Sequence, residues 1–482
     1  MTEVSGGSDV QSVGTVAVYD HETRSFTLNT PDDGARKAYI GNAALHGQMM
    51  VVFAQLKMSP DADSMGVHAF LLPVRGTDGK LLPGVEIEDC GHKIGLNGVD
   101  NGYIRFTGIK MPYDALLDRF ASIDAEGKYQ SPVEKKTARF FKMISTLVTG
   151  RIFVAMASLS GAKNALKNAL DFAAERQVFG ETLLDKQATQ SRMLPHLAQA
   201  YALHFVTRDL LDAQMAGSPE VETLAAAVKA RASDSAIATV DEARKLAGGL
   251  GYMSHEKYGT LRNDIDIFRT FEGDNTVLRL LAAKNRLTDM GRAFNKASAM
   301  GKIKHVFNRK ASPLTAKKSR TSESHLRDTS FHLDIMARRE QAMLFDLAQK
   351  MKKLHKQHGA DGLNLCQDDM TAYAEAYADR VMMESFARHI AAQQDAEVKD
   401  TLKKLADLFA LDTLRRNGLW HVENGFMTTA KTRAIAGLQH KVQAEIAPLS
   451  GALVNAFAIP DKALKLPRLD NGLDKKQNEI KP

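Results

Sequence analysis

The sequence predicts an α+β protein, a β-rich domain with a β-barrel-like sheet followed by two α-helical bundle domains. Three observations predict it. Through the first 120 positions, apolar residues on alternating positions and short apolar runs stand between frequent glycines and prolines. From about residue 133 the apolar period lengthens to three and four, the repeat of a helix face. A polar, basic stretch from Asn308 to Asp328, containing Pro313 and several serines, then separates one helical block from a second. The expected division is a β domain at 1–120, a helical domain at 133–300, a linker at 308–328 and a second helical domain at 331–460.

Within the β part, Val16, Val18, Phe26 and Leu28 sit on alternating positions either side of Asp20-His21-Glu22-Thr23, which reads as a hairpin. Met49-Met50-Val51-Val52-Phe53-Ala54 and His68-Ala69-Phe70-Leu71-Leu72 are short apolar runs suited to buried strands. Ile104 and Phe106 alternate with Arg105 and Thr107 ahead of the break at Pro112. In the first helical block, Leu194, Leu197, Tyr201 and Phe205 recur on one helix face. Segments 141–174, 220–247 and 276–293, rich in alanine and leucine, read as further helices. Met343, Leu347, Met351 and Leu354 mark an amphipathic helix in the second block, and the lysine-rich residues 461–482 read as a frayed end.

Composition narrows the class. A chain of 482 residues, 44% hydrophobic and 25% charged, is that of a globular protein large enough for substantial cores. Its two cysteines, Cys90 and Cys366, lie far apart, without metal-ligand or redox spacing. No stretch reaches the ~18 uncharged apolar residues of a membrane span, and no signal-peptide core is present. The end Glu479-Ile480-Lys481-Pro482 is not a peroxisomal S-K-L address, so the reading is cytoplasmic. The net charge of +7 suits attraction of phosphates, but no aromatic-interleaved basic stripe or zinc-finger spacing points to nucleic acid. His255-Glu256 is not a zinc-protease motif, because Gly259 stands at the place of the second histidine, and no metal site is expected. Gly249-Leu250-Gly251 does not extend to a dinucleotide fingerprint, since Ser254 takes the place of the third glycine. The fifteen histidines are scattered, and the twenty methionines read as helix-core filling.

The most informative run is Arg269-Thr270-Phe271-Glu272-Gly273-Asp274-Asn275-Thr276-Val277-Leu278. A carboxylate stands beside a glycine with no side chain to fend off a ligand. Asp274 and Asn275 then suit a helix start with free amide donors. Alone, the run reads equally as an acidic residue in an ordinary capping turn. Three other segments join it. They are Thr2-Glu3-Val4-Ser5-Gly6-Gly7-Ser8-Asp9, Glu175-Arg176-Gln177-Val178-Phe179-Gly180 and Ala247-Gly248-Gly249-Leu250-Gly251-Tyr252. In this order and spacing the four segments resemble the acyl-CoA oxidases and acyl-CoA dehydrogenases. The matching patterns there are T-E-x-G-x-G-S-D, E-R-x-x-F-G, G-G-x-G-Y and F-E-G-x-N/T-x-V/L. The resemblance runs from Thr2 to about residue 300 and more loosely to about residue 460, where His421-Val422-Glu423-Asn424-Gly425-Phe426 is similar to a segment of the oxidases' extra C-terminal domain.

The resemblance implies an FAD enzyme that introduces an α,β double bond into a fatty acyl-CoA. Glu272 is then the catalytic base for the α-proton, with its backbone N–H donating to the thioester oxygen and Gly273 leaving room for the substrate. Burial should raise the pKa of Glu272 toward working pH. Thr2, Ser8, Gly41, Arg176, Phe179, Gly248, Gly249, Asn275 and Thr276 match cofactor-contacting positions, and Ser8 also falls near the substrate. Arg176 and Phe179 match residues that reach the flavin of a neighbouring subunit, which implies a homodimer. Plainer readings stand beside these. Arg176 could pair with neighbours of Glu175, and Gly248-Gly249 could be a helix C-cap.

Departures divide the family's branches. Dehydrogenases place a W-I-T-like tripeptide beside the flavin. Here Ala38-Tyr39-Ile40-Gly41-Asn42 stands there, and the single tryptophan is Trp420. That stretch and the domain after residue 330 lean toward oxidases, with O₂ as electron acceptor. The intact E-R-x-x-F-G segment leans toward dehydrogenases, which pass electrons to an electron-transferring flavoprotein. Leu250 replaces a polar residue usual between the paired glycines and Gly251. Relatives also carry a helical domain ahead of the T-E-x-G-x-G-S-D loop, which here begins at Thr2, so a non-catalytic scaffold is a third expectation.

Overall fold

The computed structural model describes residues 1–296 and 315–460. The chain forms two compact units, Met1–Leu147 and Val148–Pro482. The expected frayed end at 461–482 and residues 308–314 of the expected linker lie outside the described residues. Within the rest of that linker, Thr315–Lys318 and Glu323–Leu326 are short helices.

The main described strands of the first unit are β1 (Val16–Asp20), β2 (Ser25–Asn29), β3 (Lys37–Gly41), β4 (Met49–Lys57), β5 (Val67–Pro73), β6 (Val85–Asp89), β7 (Asn101–Phe106) and β8 (Ile109–Pro112). One sheet runs β5-β4-β1-β2-β8 and a second runs β3-β7-β6. Among the described strands only β1 and β4 pair in parallel. The α+β class holds, but the sheets stay open and do not close into a barrel. They meet through side chains, Phe26, Leu28 and Phe70 from one against Ile104 and Phe106 from the other. A corner is tied by hydrogen bonds, the Thr30 N–H donating to the Phe106 carbonyl and the Phe106 N–H to Thr30 Oγ1.

Register explains which residues of the hairpin are inside. Ala17 pairs with Leu28 and Tyr19 with Phe26, and all four are buried. Val16 and Val18 fall on the opposite face, half-buried, because successive strand residues alternate between faces. In β4 the same alternation buries Val52, Ala54 and Leu56 and leaves Met49 and Val51 exposed, so this run is buried on one face only.

The second unit is helical. Its long elements are α2 (Leu147–Glu175), α3 (Gln187–Met215), α4 (Val221–Leu246), α5 (Tyr258–Asp266), α6 (Asn275–Lys296), α7 (Thr329–His358), α8 (Gln367–Ala392), α9 (Ala396–Arg416) and α10 (Thr429–Ile446), while α1 (Lys136–Met143) belongs to the first unit. Leu194, Leu197 and Tyr201 are buried as the periodicity predicts. One hydrophobic cluster holds residues of α2, α3 and α4 together with Phe386, Leu405, Phe409, Ile435 and Val442 of the later helices. Both helical blocks thus share a core. The His421–Phe426 segment is structural, with His421 buried and Trp420 stacked on Phe426 at 5.3 Å. Burial lowers the His421 pKa to about 3.

The N-terminal loop of the first unit is anchored by a buried ion pair absent from the sequence reading. Lys37 Nζ lies 2.7 Å from Glu3 Oε1, with side chains 2% and 1% exposed. Glu3 also accepts from the Gly14 N–H at 2.6 Å and from Thr15 Oγ1 at 2.6 Å, and Lys37 donates to the Phe53 carbonyl at 2.7 Å. Removing one partner leaves the other charge buried without compensation. Lys37→Met is expected to destabilise the protein by about 3–5 kcal/mol in denaturant unfolding. The double variant Glu3→Gln/Lys37→Met should lose less than the sum of the two singles.

Candidate functional site

The Glu272 turn joins the short helical segment Ile267–Arg269 to α6. Glu272 has φ 57° and Gly273 φ 102°, two successive left-handed residues. A non-glycine residue rarely adopts that conformation unless its surroundings hold it there. Here they do. Arg151 Nε on α2 donates to the Glu272 carbonyl at 3.2 Å, and Lys229 Nζ on α4 donates to the Gly273 carbonyl at 2.8 Å. Asp274 caps α6, its Oδ1 accepting from the Thr276 N–H at 2.8 Å.

The carboxyl of Glu272 lies flat over Gly150 of α2. A Cβ at Gly150 would stand 2.6 Å from Glu272 Cδ and Oε1. Glu272 Oε2 is buried, with no hydrogen-bond partner among the described residues. Burial raises the pKa of this carboxyl, while Arg151 and Lys229 pull it back. A buried polar atom left unpaired is costly and uncommon. No described residue accepts from the Glu272 backbone N–H.

The sequence-predicted residues fall into separate groups. Glu272, Gly273, Asn275 and Thr276 share one turn. Asn275 points inward. Its amide nitrogen lies 2.9 Å from Ser233 Oγ and 3.1 Å from Asp234 Oδ1, and its oxygen accepts from Lys229 at 3.1 Å. The side chain expected to meet a cofactor is therefore committed to tying α6 to α4. Thr276 is exposed. Gly273 is required by the fold itself, since its φ is positive and a Cβ would meet Leu278 at 2.8 Å.

Arg176 and Phe179 sit on a two-stranded hairpin, Gln177–Val178 against Glu181–Thr182. Phe179 and Gly180 form its loop with φ 52° and 85°, the signs of a type I′ turn. Phe179 is 99% exposed. A strained, fully exposed aromatic has no account within its own unit. Arg176 is exposed and forms no ion pair among the described residues, so pairing with neighbours of Glu175 does not occur there. Gly248 ends α4 with φ 59°, as a C-cap glycine does. Gly249 differs, because its φ is ordinary and a Cβ would meet nothing within 4 Å.

Along α4, Lys229 and Gly248 are separated by about 28 Å, and along α2 the path from Arg151 to Arg176 is about 38 Å, at 1.5 Å per residue. The Glu272 turn and the Arg176 and Gly248 segments therefore mark different regions of the helical unit. In the first unit, Thr2 and Gly41 lie along the same edge strand. The Ala38 N–H donates to the Thr2 carbonyl at 3.0 Å, and Gly41 closes β3, where an added Cβ would meet no atom within 4 Å. Ser8 is exposed on the loop held by Glu3.

Comparison with known proteins agrees in order along the chain. Residues 1–109 match the acyl-CoA dehydrogenase middle domain, 141–287 the acyl-CoA dehydrogenase C-terminal domain, and 328–467 acyl-CoA oxidase. Peroxisomal acyl-coenzyme A oxidase 2 of Arabidopsis thaliana is 34% identical over 495 aligned positions, covering 97% of this chain and 71% of the relative. The chain belongs to the acyl-CoA oxidase family. Acyl-CoA oxidase 1 of Yarrowia lipolytica superposes with a TM-score of 0.88 at 25% identity, over 97% of this chain and 71% of that one. Acyl-CoA oxidase 1 of Caenorhabditis elegans, solved in complex with FAD and ATP, has the same fold with a TM-score of 0.83 at 22% identity, over 96% of this chain and 70% of that one.

Sequence reading missed Gly150, Arg151 and Lys229. Lys229 carried a usable signal, as a lone charge inside Ala225-Ala226-Ala227-Val228-Lys229-Ala230. Arg151 and Gly150 carried none, since their partner lies more than a hundred residues away. No single described helix is long and apolar enough to cross a membrane. Among the described residues no group of three or more His, Cys, Asp or Glu could hold a metal.

Gly150→Ala gives a direct check of this geometry. In an exposed helix interior that change stabilises by about 0.5–1 kcal/mol. Here the added methyl overlaps the Glu272 carboxyl, the far end of a flexible side chain that can swing aside, so stability in denaturant unfolding should change by less than about 1 kcal/mol while turnover falls with the displaced carboxyl.

Proposed function

We propose that this protein oxidises fatty acyl-CoA to trans-2-enoyl-CoA with FAD, O₂ taking the electrons to give H₂O₂, and that Glu272 is the catalytic base. The observation that carries the reading is the buried, unpartnered oxygen of Glu272 in a turn whose two carbonyls are held by cations. A base needs a free lone pair, a pKa raised toward working pH and a fixed direction, and this carboxyl has all three.

The residues present fit a flavin. Gly41 and Gly249 have ordinary φ and open space where a side chain would stand, so nothing in their own units demands glycine. Phe179 is presented fully exposed at a strained φ. Thr2, Ser8, Arg176, Gly248 and Thr276 are the other cofactor-contacting candidates, with Asn275 acting through the turn it ties. The bound cofactor would accept the hydride lost from the substrate β-carbon.

Glu272 takes the α-proton as negative charge develops on the thioester oxygen. The Glu272 N–H is directed by the turn and is free to donate to that oxygen. Gly273, beside the base, leaves the approach unobstructed, and Ser8 is the second substrate-contacting candidate. Burial of the Glu272 Oε2 atom keeps water from competing for that lone pair.

Two copies of the chain complete the site in this reading. Arg176 and Gly248 lie about 38 and 28 Å along their helices from the residues that hold Glu272. Each copy thus supplies the base to one site and the Arg176–Gly180 hairpin to the other. The functional division is 1–120, 133–300 and 331–460. Location in the cytoplasm is a proposal for cell fractionation to test, since the Arabidopsis relative is named peroxisomal.

The deciding experiment is aerobic turnover of a fatty acyl-CoA. Hydrogen peroxide should form one-for-one with enoyl-CoA, and Glu272→Gln should lower the rate by ~10²–10⁴-fold. Product that forms only when an electron-transferring flavoprotein is added would establish dehydrogenase chemistry instead. Activity of Glu272→Gln near wild type would assign the base elsewhere. Arg176→Ala tests the shared site, with flavin occupancy and dimer affinity in sedimentation expected to fall together.

A further inference from the structure

We propose that Lys229 is the positioning residue of the Glu272 turn, a buried ammonium that fixes the backbone carrying the base. The proposal rests on the reading of Glu272 as base and concerns a residue that no part of that chemistry touches.

Lys229 is 0% exposed, on the inner face of an alanine-rich helix. Lysine is almost never fully buried without a charged partner. Among the described residues no carboxylate lies within ion-pair distance of its ammonium. Its acceptors are two neutral oxygens, Gly273 O at 2.8 Å and Asn275 Oδ1 at 3.1 Å. A buried cation held this way is a poor source of stability, and an apolar side chain of the same volume would pack there at less cost. What it contributes is location. Both acceptors belong to the three residues that follow the base.

Glu272 and Gly273 are left-handed in succession, and each carbonyl is gripped by a buried cation from a different helix, Arg151 from α2 and Lys229 from α4. With the two peptide planes that follow the Glu272 Cα fixed, the start of its side chain has one direction. Releasing the Gly273 carbonyl frees the second plane. Asn275 carries the same restraint one turn further, through Ser233 and Asp234.

The ammonium also acts by charge. Burial lowers its pKa to about 8, against the pull of Asp274 and Asp234. Lys229 and Arg151 both favour the ionised form of Glu272. The charged groups around the pair are Arg151 on α2, Glu222 and Asp234 on α4, and Asp274 in the turn, with Arg279 of α6 bound to Asp234. Removing the lysine charge therefore raises the base's pKa, and the acidic limb of the rate profile moves to higher pH.

Lys229→Met, made beside Glu272→Gln, tests the assignment by rate, pH profile and amide exchange. Expected for Lys229→Met are a kcat lowered by about 10²-fold, the scale of a 1 Å misplacement, and a KM close to wild type. The acidic limb should shift upward, and deuterium exchange should quicken across Phe271–Leu278 while α4 stays protected. A lower melting temperature with unchanged pH limb and unchanged exchange in that segment would overturn the proposal. Should Lys229→Met not fold, Asn275→Ala removes one of the two acceptors. It should give a smaller fall in kcat and faster exchange at Gly273–Thr276, and unaltered exchange there would equally overturn it. Full activity of Glu272→Gln would remove the base reading while leaving exchange to judge the pin. Loss in Glu272→Gln with wild-type behaviour in Lys229→Met would remove the pin alone.

Discussion

A half-buried carboxyl with one oxygen kept out of water and unpaired raises the free energy of the folded state. The structure around Glu272 is the set of interactions that makes this tolerable. Two cations hold the carbonyls of the two left-handed residues, Glu272 and Gly273, a glycine of α2 leaves a flat bed for the carboxyl, and Asp274 starts α6 immediately afterwards. These contacts come from three different helices. The turn's geometry therefore depends on α2, α4 and α6 packed together.

The ion-pair network extends this dependence. Arg279 of α6 binds Glu375 of α8 at 2.5 Å and also Asp234 of α4. Arg231 joins Glu375 at 2.9 Å and Asp379 at 3.1 Å, and Arg339 of α7 meets Asp379 at 3.2 Å. Planar guanidinium groups with paired carboxylates make such networks more specific in geometry than strong in net energy. Their effect is to set the register of α6 against helices of both helical blocks.

Much of this was legible from residues alone because it is local. Alternation marked β1, β2 and β7, short apolar runs marked β4 and β5, and the three-four repeat marked α3 and α7. The Glu272 turn showed itself through glycine, an Asx cap and a following apolar helix. Sheet closure was read too far, since the pairing limits of β5, β8, β3 and β6 depend on contacts between distant strands. Glu3 was read only as a motif position, although its carboxylate anchors the loop. Its partner Lys37 lies on another strand with no spacing to announce it. Asn275 shows the same limit. The motif gives its position, but only packing shows that its amide faces α4 and not outward.

The common hydrophobic core of the two helical blocks bears on how such chains can be recombined. The blocks look like interchangeable modules in the sequence, joined by a polar stretch. A chimera exchanged between relatives near residue 330 would keep every residue named in the base's turn. It would nevertheless pair Arg279 with a foreign α8 and Leu197 or Tyr201 with foreign aromatic and leucine side chains. Crossovers that respect this protein would fall instead near Leu147, where the β unit ends and the helical unit begins.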